Sequence, residues 1–237
     1  MSNIKNNNKY SGKECLENII DPYLKKYHSH IIDLILNINV QKNKVCDFGA
    51  GCGTLAKILK KEKNINPVCV EIDQYFISVL KNHTFEVFDD INKTKTQFDL
   101  IYSSNVLEHI EDHKKTLKVL KTKLEQDGVL VLYLPAFDLL FSDLDRKVGH
   151  FRRYSKSMIL QLADEVGFKI DKIFYVDSIG FFGSLFIRIF GWNEKNGLGS
   201  KYSLIFYDKY IFPISKFFDY LGFSYFFGKN IFVSLRK

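Results

Sequence analysis

Val45-Cys46-Asp47-Phe48-Gly49-Ala50-Gly51-Cys52-Gly53 is the stretch that decides the architecture. Its first four residues read as a buried strand, with Val45, Cys46 and Phe48 apolar. Three glycines at alternate positions, Gly49, Gly51 and Gly53, break the strand, and a helical stretch begins at Thr54 and runs to about Lys61. Glycines admit positive φ and let a backbone approach a ligand more closely than any Cβ permits. The next apolar run, Val68-Cys69-Val70, ends on Glu71, 18 positions after Gly53. An acid at that place accepts hydrogen bonds from the two hydroxyls of a ribose. Loop and acid together imply a nucleoside site. Asp47 narrows it, because a carboxylate two residues before the first glycine repels the pyrophosphate of a dinucleotide and attracts a cation.

The flanking sequence extends the pattern. Asp21-Pro22 reads as a helix start, with Leu24, Tyr27, Ile31, Leu34 and Ile38 on one face. Phe85–Phe88 is a third strand ending on Asp89-Asp90-Ile91, and Phe98–Tyr102 is a fourth. A helix from Glu111 to Gln126 is expected to stop at Asp127-Gly128, before a fifth strand from Val129 to Leu134. Near-continuous apolar strands alternating with helices predict a parallel sheet covered on both faces. Ligands of such sheets sit outside the carboxyl ends of the strands, where the polar clusters fall.

The stretch Asp47–Gly53 resembles the first motif of class I S-adenosylmethionine-dependent methyltransferases. Their cofactor carries a sulfonium and an α-ammonium but no phosphate, which suits Asp47. The run Ser104-Asn105-Val106-Leu107-Glu108-His109-Ile110-Glu111-Asp112, with Val70-Glu71-Ile72-Asp73, resembles the broad group that includes the ubiquinone-biosynthesis O-methyltransferases. The likeness covers about residues 40–175. It implies an α/β fold: a Rossmann-like, seven-stranded, mostly parallel sheet with helices on both faces. It implies S-adenosyl-L-methionine as cofactor, with Asp47, Gly49, Ala50, Gly51 and Gly53 at the methionine part. Glu71 would take the ribose, with Ile72 beside it. Either Asp89 or Asp90 would accept from the adenine amino group, with Ile91 next to the ring. Ser104 and Asn105 would line the methionine end.

Asp145-Arg146-Lys147-Val148-Gly149-His150-Phe151-Arg152-Arg153-Tyr154 packs three arginines, a lysine, a histidine and two aromatics into ten positions. It resembles the Gly-His-x-Arg-Arg-Tyr segment of a subset of these enzymes, often encoded near glycosyltransferases. Paired Arg152 and Arg153 suit a carboxylate or phosphate, with Tyr154 in the same acceptor site. His150 is the candidate general base, and His109 the other. The bland alternative is a solvated basic loop before a helix that Ser155 caps. His109 and His113 are four apart, but Ile110 stands where a zincin carries its glutamate, so no metal is expected. Cys15, Cys46, Cys52 and Cys69 form no C-x-x-C pair.

The 237 residues suffice for a core without disulfides or metal, and the polar N-terminal residues resemble no signal peptide, so a cytoplasmic protein is expected. A net charge of +7 favours anionic partners, among them a membrane surface. No RNA-recognition motif accompanies the charge, which disfavours nucleic acid. Residues 1–40 read as a tail and helix, and 41–177 with 229–237 as the cofactor-binding domain. Between the expected sixth strand (Lys169–Val176) and last strand (Asn230–Arg236) lies an insertion, 178–228. Its 51 residues hold 17 of the chain's 36 aromatics (22 Phe, 13 Tyr and 1 Trp), and charges interrupt every long apolar run. Phe182, Leu185, Phe186, Ile189 and Phe190 mark one helix, and Leu204–Ile211 a second before Pro213. Three roles remain open: a cap on an apolar acceptor pocket, a membrane or dimer face, and an enlargement of the core. Methyl transfer to a small, sugar-related or lipid-linked acceptor, at oxygen, is the expected activity. A silent S-adenosylmethionine-binding scaffold and an RNA methyltransferase are the alternatives.

Overall fold

The computed structural model describes residues 22–191 and 201–237. One sheet of seven strands runs in the order β3-β2-β1-β4-β5-β7-β6. β1 (Val45–Phe48), β2 (Val68–Val70), β3 (Val87–Phe88), β4 (Phe98–Ser104) and β5 (Leu124–Pro135) are parallel. β7 (Asn230–Arg236) enters antiparallel between β5 and β6 (Lys169–Val176). The expected α/β architecture is the observed one.

Side-chain alternation along β5 explains why helices cover both faces. Leu130, Leu132 and Leu134 point into a core shared with α4 (His113–Thr122) and α6 (Lys156–Val166). Val129, Val131 and Tyr133 point the other way, onto α1 (Lys25–Leu36) and α2 (Thr54–Lys63). α3 (Gln74–Asn82) closes the β2 edge through Leu80, which packs with Ala56, Cys69 and Phe85. A short helix, α5 (Asp143–Val148), follows β5.

Some boundaries differ from the sequence reading, each for a local reason. The expected helix 111–126 ends at Thr122, and β5 begins at Leu124, because Phe98 pairs with Leu124 ahead of a register shift. Asp127, at φ 62°, and Gly128 then lie in a kink within the strand rather than at a helix end. α1 starts at Lys25, and Asp21, residues 1–20 and Cys15 with them lie outside the described residues, as do 192–200 of the insertion.

The insertion folds as α7 (Ser178–Phe190), α8 (Lys201–Phe206), a π turn (Tyr207–Ile211) and α9 (Phe212–Tyr220). Pro213 does not end the helix. The π turn frees the backbone ahead of it, and Pro213 occupies the first turn of α9, where its missing N–H is harmless. The insertion is also tied to α1, whose own N-cap residue, Leu24, makes no side-chain cap. Asp208 of the π turn replaces it, accepting from Lys26 N at 3.0 Å and Tyr27 N at 2.9 Å. Asp208→Ala should therefore destabilise the whole domain by about 1–2 kcal/mol in urea unfolding, the ordinary cost of a lost helix cap. An unchanged midpoint would show that water replaces the carboxylate.

Candidate cofactor and acceptor site

β1 stops at Phe48, and the loop after it is gathered by backbone bonds to its neighbour: Gly49 N and Ala50 N both donate to Val70 O, at 2.8 and 3.1 Å. Gly49 has φ 79°, and a Cβ there would fall 2.3 Å from a methyl of Val106, the residue that leads out of β4 over the loop. No other residue fits. Glu71, buried at the end of β2, locks the loop from the side. Its carboxylate accepts from Gly51 N at 2.7 Å, Ile72 N at 2.8 Å and Asp73 N at 2.9 Å. Asp73 then caps α3 through Tyr75 N and Phe76 N.

Asp47 is buried in β1. Burial pushes its carboxyl up to about 7, a neighbouring Tyr102 hydroxyl opposes the shift, and the Glu71 charge adds to it. Neither acid is ion-paired to a lysine or arginine among the described residues. Two acids on adjacent strand ends, with no base between them, fit a cationic nucleoside and not a pyrophosphate. The donor set therefore matches S-adenosylmethionine.

Around this centre, Ile72 is 69% exposed on the rim, whereas Ile91 is turned into the core among Val70, Phe98 and Leu117. The apolar surface available to a ring is that of Ile72. Asp89 is exposed and paired with Lys93 at 2.7 Å, and exposed Asp90 caps the turn Ile91–Lys93 through Asn92 N. Ser104 ends β4, and its hydroxyl accepts from Asn105 Nδ2 at 3.3 Å. Asn105 is exposed at φ 52° beside the glycine loop.

The basic segment is where the structure corrects the sequence most. Arg153 is buried and makes a bidentate pair with Asp145, Nε to Oδ1 at 2.8 Å and Nη2 to Oδ2 at 3.0 Å. Arg152 donates to the carbonyls of Ile110 and Glu111, at 2.6 and 2.9 Å. Tyr154 is fully buried, its hydroxyl donating to Leu107 O at 3.1 Å and lying 3.0 Å from His113 Nδ1. The arginines and tyrosine expected to hold an anionic acceptor hold the protein instead. Their backbone does the same, since Tyr154 N donates to Pro135 O and Phe151 N to Glu108 O. His109 and His113 share no helix: one ends the 3-10 turn Leu107–His109, and the other opens α4.

What this clamp presents is His150. Gly149 ends α5 in the left-handed region, and His150 Nδ1 then meets Asp145 Oδ1 at 2.8 Å. Burial raises the Asp145 carboxyl, but bonds from His150 and Arg153 overcome it and hold the group well below the carboxylate range. An Nδ1–H bonded to that carboxylate leaves His150 Nε2 as the basic nitrogen. Nε2 lies 3.9 Å from Glu108 Oε1, and the His109 ring is 4.5 Å from the His150 ring. Burial pushes the Glu108 carboxyl up to about 8, and neither of its oxygens has a hydrogen-bond partner. Burial and the His150 charge lower His109 to about 4. Ligand atoms of Glu108, His109 and His150 all lie within 4.8 Å of one another. The sequence reading singled out neither Asp145 nor Glu108, which the structure brings against His150.

Comparison with known proteins agrees with this geometry. Residues 21–173 match the model of a methyltransferase-domain family, and the chain belongs to that family. Its fold is that of S-adenosylmethionine-dependent methyltransferases, and it is such an enzyme, with S-adenosylmethionine as cofactor. A SAM-dependent methyltransferase from Archaeoglobus fulgidus superposes with a TM-score of 0.59 at 16% identity, over 92% of this chain and 94% of that one. Phosphoethanolamine N-methyltransferase 2 of Haemonchus contortus, in complex with S-adenosyl-L-methionine, gives 0.57 at 15%, over 97% and 60%. Mycolic acid cyclopropane synthase CmaA1, complexed with SAH and CTAB, gives 0.57 at 15%, over 88% and 84%. No curated protein sequence matches significantly.

The clamp has a measurable consequence. Arg153→Ala strands the buried Asp145 carboxylate and should cost about 3–5 kcal/mol of stability. Arg152→Ala, which frees only carbonyls at the surface, should cost about 1 kcal/mol or a little more. If both variants keep wild-type denaturation midpoints, the arginines are not structural and the anion-binding reading returns.

Proposed function

We propose that the chain transfers the methyl group of S-adenosylmethionine to a hydroxyl of a small, sugar-related or lipid-linked acceptor, with His150 as the general base. The observation that supports this reading is the His150–Asp145 pair, in which Nδ1 meets the carboxylate and leaves Nε2 on the side of Glu108, in the turn after β4. The run Ser104–Asp112, with Val70–Asp73 and the glycine loop, supports the finer kinship with the ubiquinone-biosynthesis O-methyltransferases, and one structural neighbour, a mycolic acid cyclopropane synthase, is named for a lipid substrate.

In this reading Glu71 receives the ribose hydroxyls on the lone pairs its three backbone donors leave open. Asp47 faces the cationic methionine part, Gly49, Ala50, Gly51 and Gly53 supply the close backbone, and Ser104 and Asn105 border it. Ile72 covers the adenine, and Asp89 or Asp90 accepts from its amino group. The bound cofactor supplies an electrophilic methyl on a sulfonium, so positioning the acceptor is the larger part of catalysis. His150 Nε2 takes the hydroxyl proton as oxygen attacks, and Asp145 holds the ring and balances the imidazolium. His109, poorly basic in its buried place, packs against that ring.

Methyl transfer from labelled cofactor to a cell extract tests the activity and separates it from a silent scaffold. His150→Gln should lower transfer by about 10²–10⁴-fold, the usual share of a general base, and spare S-adenosylhomocysteine affinity. Equal transfer by wild type and variant would remove His150 from the chemistry.

Asp47 gives a pH signature. Only its carboxylate form pairs with a cation, so cofactor affinity should rise about tenfold as pH goes from one unit below about 7 to one unit above. The sign for stability is opposite. A folded value raised from 3.8 to about 7 means that the ligand-free protein binds this proton more tightly than the unfolded chain does. Stability should therefore fall as pH rises across that window. Calorimetry on Asp47→Asn should lose the slope, and a slope that survives points to another group.

A second reading of the acid–base cluster rests on the two partnerless oxygens of buried Glu108. With His109 and His150 it has the ligand set of a divalent cation, and Asp145 is placed as the carboxylate that orients a ligating histidine. Zinc or manganese should then raise the melting temperature of the wild type and not of Glu108→Gln.

A further inference from the structure

The insertion is folded inside out. In α7 the buried residues are Ser178, Gly180 and Ser184, and the opposite stripe, Phe182, Phe186, Ile189 and Phe190, faces solvent, Phe190 at 70%. α8 buries nothing and exposes Tyr202, Ile205 and Phe206. α9 buries Phe212 and Ser215 and exposes Ile214, Phe217 and Tyr220, the last at 88%. The interior of the module is polar: Asp177 accepts from Gly180 N at 3.0 Å and Ser215 Oγ at 2.8 Å and is bonded to Tyr207 Oη. Edge-to-face ring contacts link the elements beneath this surface, Phe182 to Phe227, Phe227 to Phe223 and Phe223 to Phe218, with Phe218 and Phe227 half-buried. A continuous exposed surface of this kind marks an interaction site.

The charges say which kind. Among the described residues of the insertion, both acids are spent inside. Asp208 is buried on α1, and Asp219 accepts from Asp177 N at 2.7 Å and Ser178 N at 3.1 Å. The exposed charges are all positive: Arg188, Lys201, Lys209 and Lys216. Lys25 and Lys26 of α1 meet Lys216 along one cleft, which Asp33 and His30 also line. Among the described residues of the insertion, aromatic side chains facing outward with exposed charges that are all cationic match the boundary of an anionic bilayer, where rings enter the acyl region and lysines meet headgroups. No described helix is long and apolar enough to cross a membrane, so the contact is interfacial.

We propose that α7, α8 and α9 dock this enzyme onto the surface of an anionic phospholipid bilayer. Phe182, Phe186 and Phe190 act as the wedge, and Arg188, Lys209 and Lys216 as headgroup contacts. The inference is independent of the proposed hydroxyl acceptor.

Flotation of the full chain with vesicles tests it. Binding is expected to mixed phosphatidylcholine and phosphatidylglycerol vesicles, and to pure phosphatidylcholine at least about tenfold more weakly, with added salt reducing the difference. Phe182→Ser with Phe186→Ser and Phe190→Ser should lower binding at least about tenfold, with the S-adenosylhomocysteine thermal shift kept as the check on folding. Arg188→Glu with Lys209→Glu and Lys216→Glu should remove the preference for phosphatidylglycerol. A chain that stays out of the vesicle fraction overturns the proposal. So does a dimer in solution that the phenylalanine variant dissociates, with no vesicle binding, since that makes the face an interface between copies. Vesicle binding that persists in a chain without methyl transfer sinks the proposed function and leaves this inference standing.

Discussion

The ligand end of the sheet depends on the abrupt stop of β1. At Phe48 the backbone leaves the ladder, and Gly49 N and Ala50 N are both satisfied by the single carbonyl of Val70. That sharing folds the loop over the end of β2 and brings Gly51 N to the Glu71 carboxylate. Glu71 is thus a structural acid before it is a binding one. Three backbone donors on its two oxygens organise the loop and the start of α3. A side chain with this double duty couples loop order to cofactor contact.

A second carboxylate plays a similar organising part in the segment after β5. Asp145 caps its own helix through Ser142, clamps Arg153 and orients His150. Five donors on two oxygens keep it ionised although it is buried. Glu108, as buried but without partners, goes the other way and holds its proton. Two carboxyls in one cluster are therefore pushed in opposite directions, Asp145 down by its hydrogen bonds and the Arg153 charge and Glu108 up by burial, the kind of separation on which acid–base sites are built.

The sequence disclosed the half of the candidate site that is local. Strand, glycine loop and following acid lie within one βαβ unit, where spacing along the chain maps directly onto space, so Asp47, Gly49 and Glu71 were legible. The proposed acceptor half is assembled from two separated segments: the turn after β4, and α5 with the extended run that follows it to Tyr154. Arg152 and Arg153 looked available to an anion because nothing in their neighbourhood announces that Asp145 and the carbonyls of Ile110 and Glu111 consume them. The same limit hid the reversed polarity of α7. Its apolar stripe at Phe182, Phe186 and Phe190 was plain, but a stripe does not say which way a helix is turned. Only the polar hub at Asp177 fixes that.

The two halves and the insertion meet at one place. α7 begins at Asp177, directly after β6, and Phe181 packs edge-on against Phe137, the residue that precedes the turn Asp138–Leu140 after β5. Phe137 N in turn bonds to Tyr154 O, the last residue of the clamp that holds His150. The half-buried Phe181 of α7 is therefore connected through Phe137 to the extended segment that runs from His150 to Tyr154.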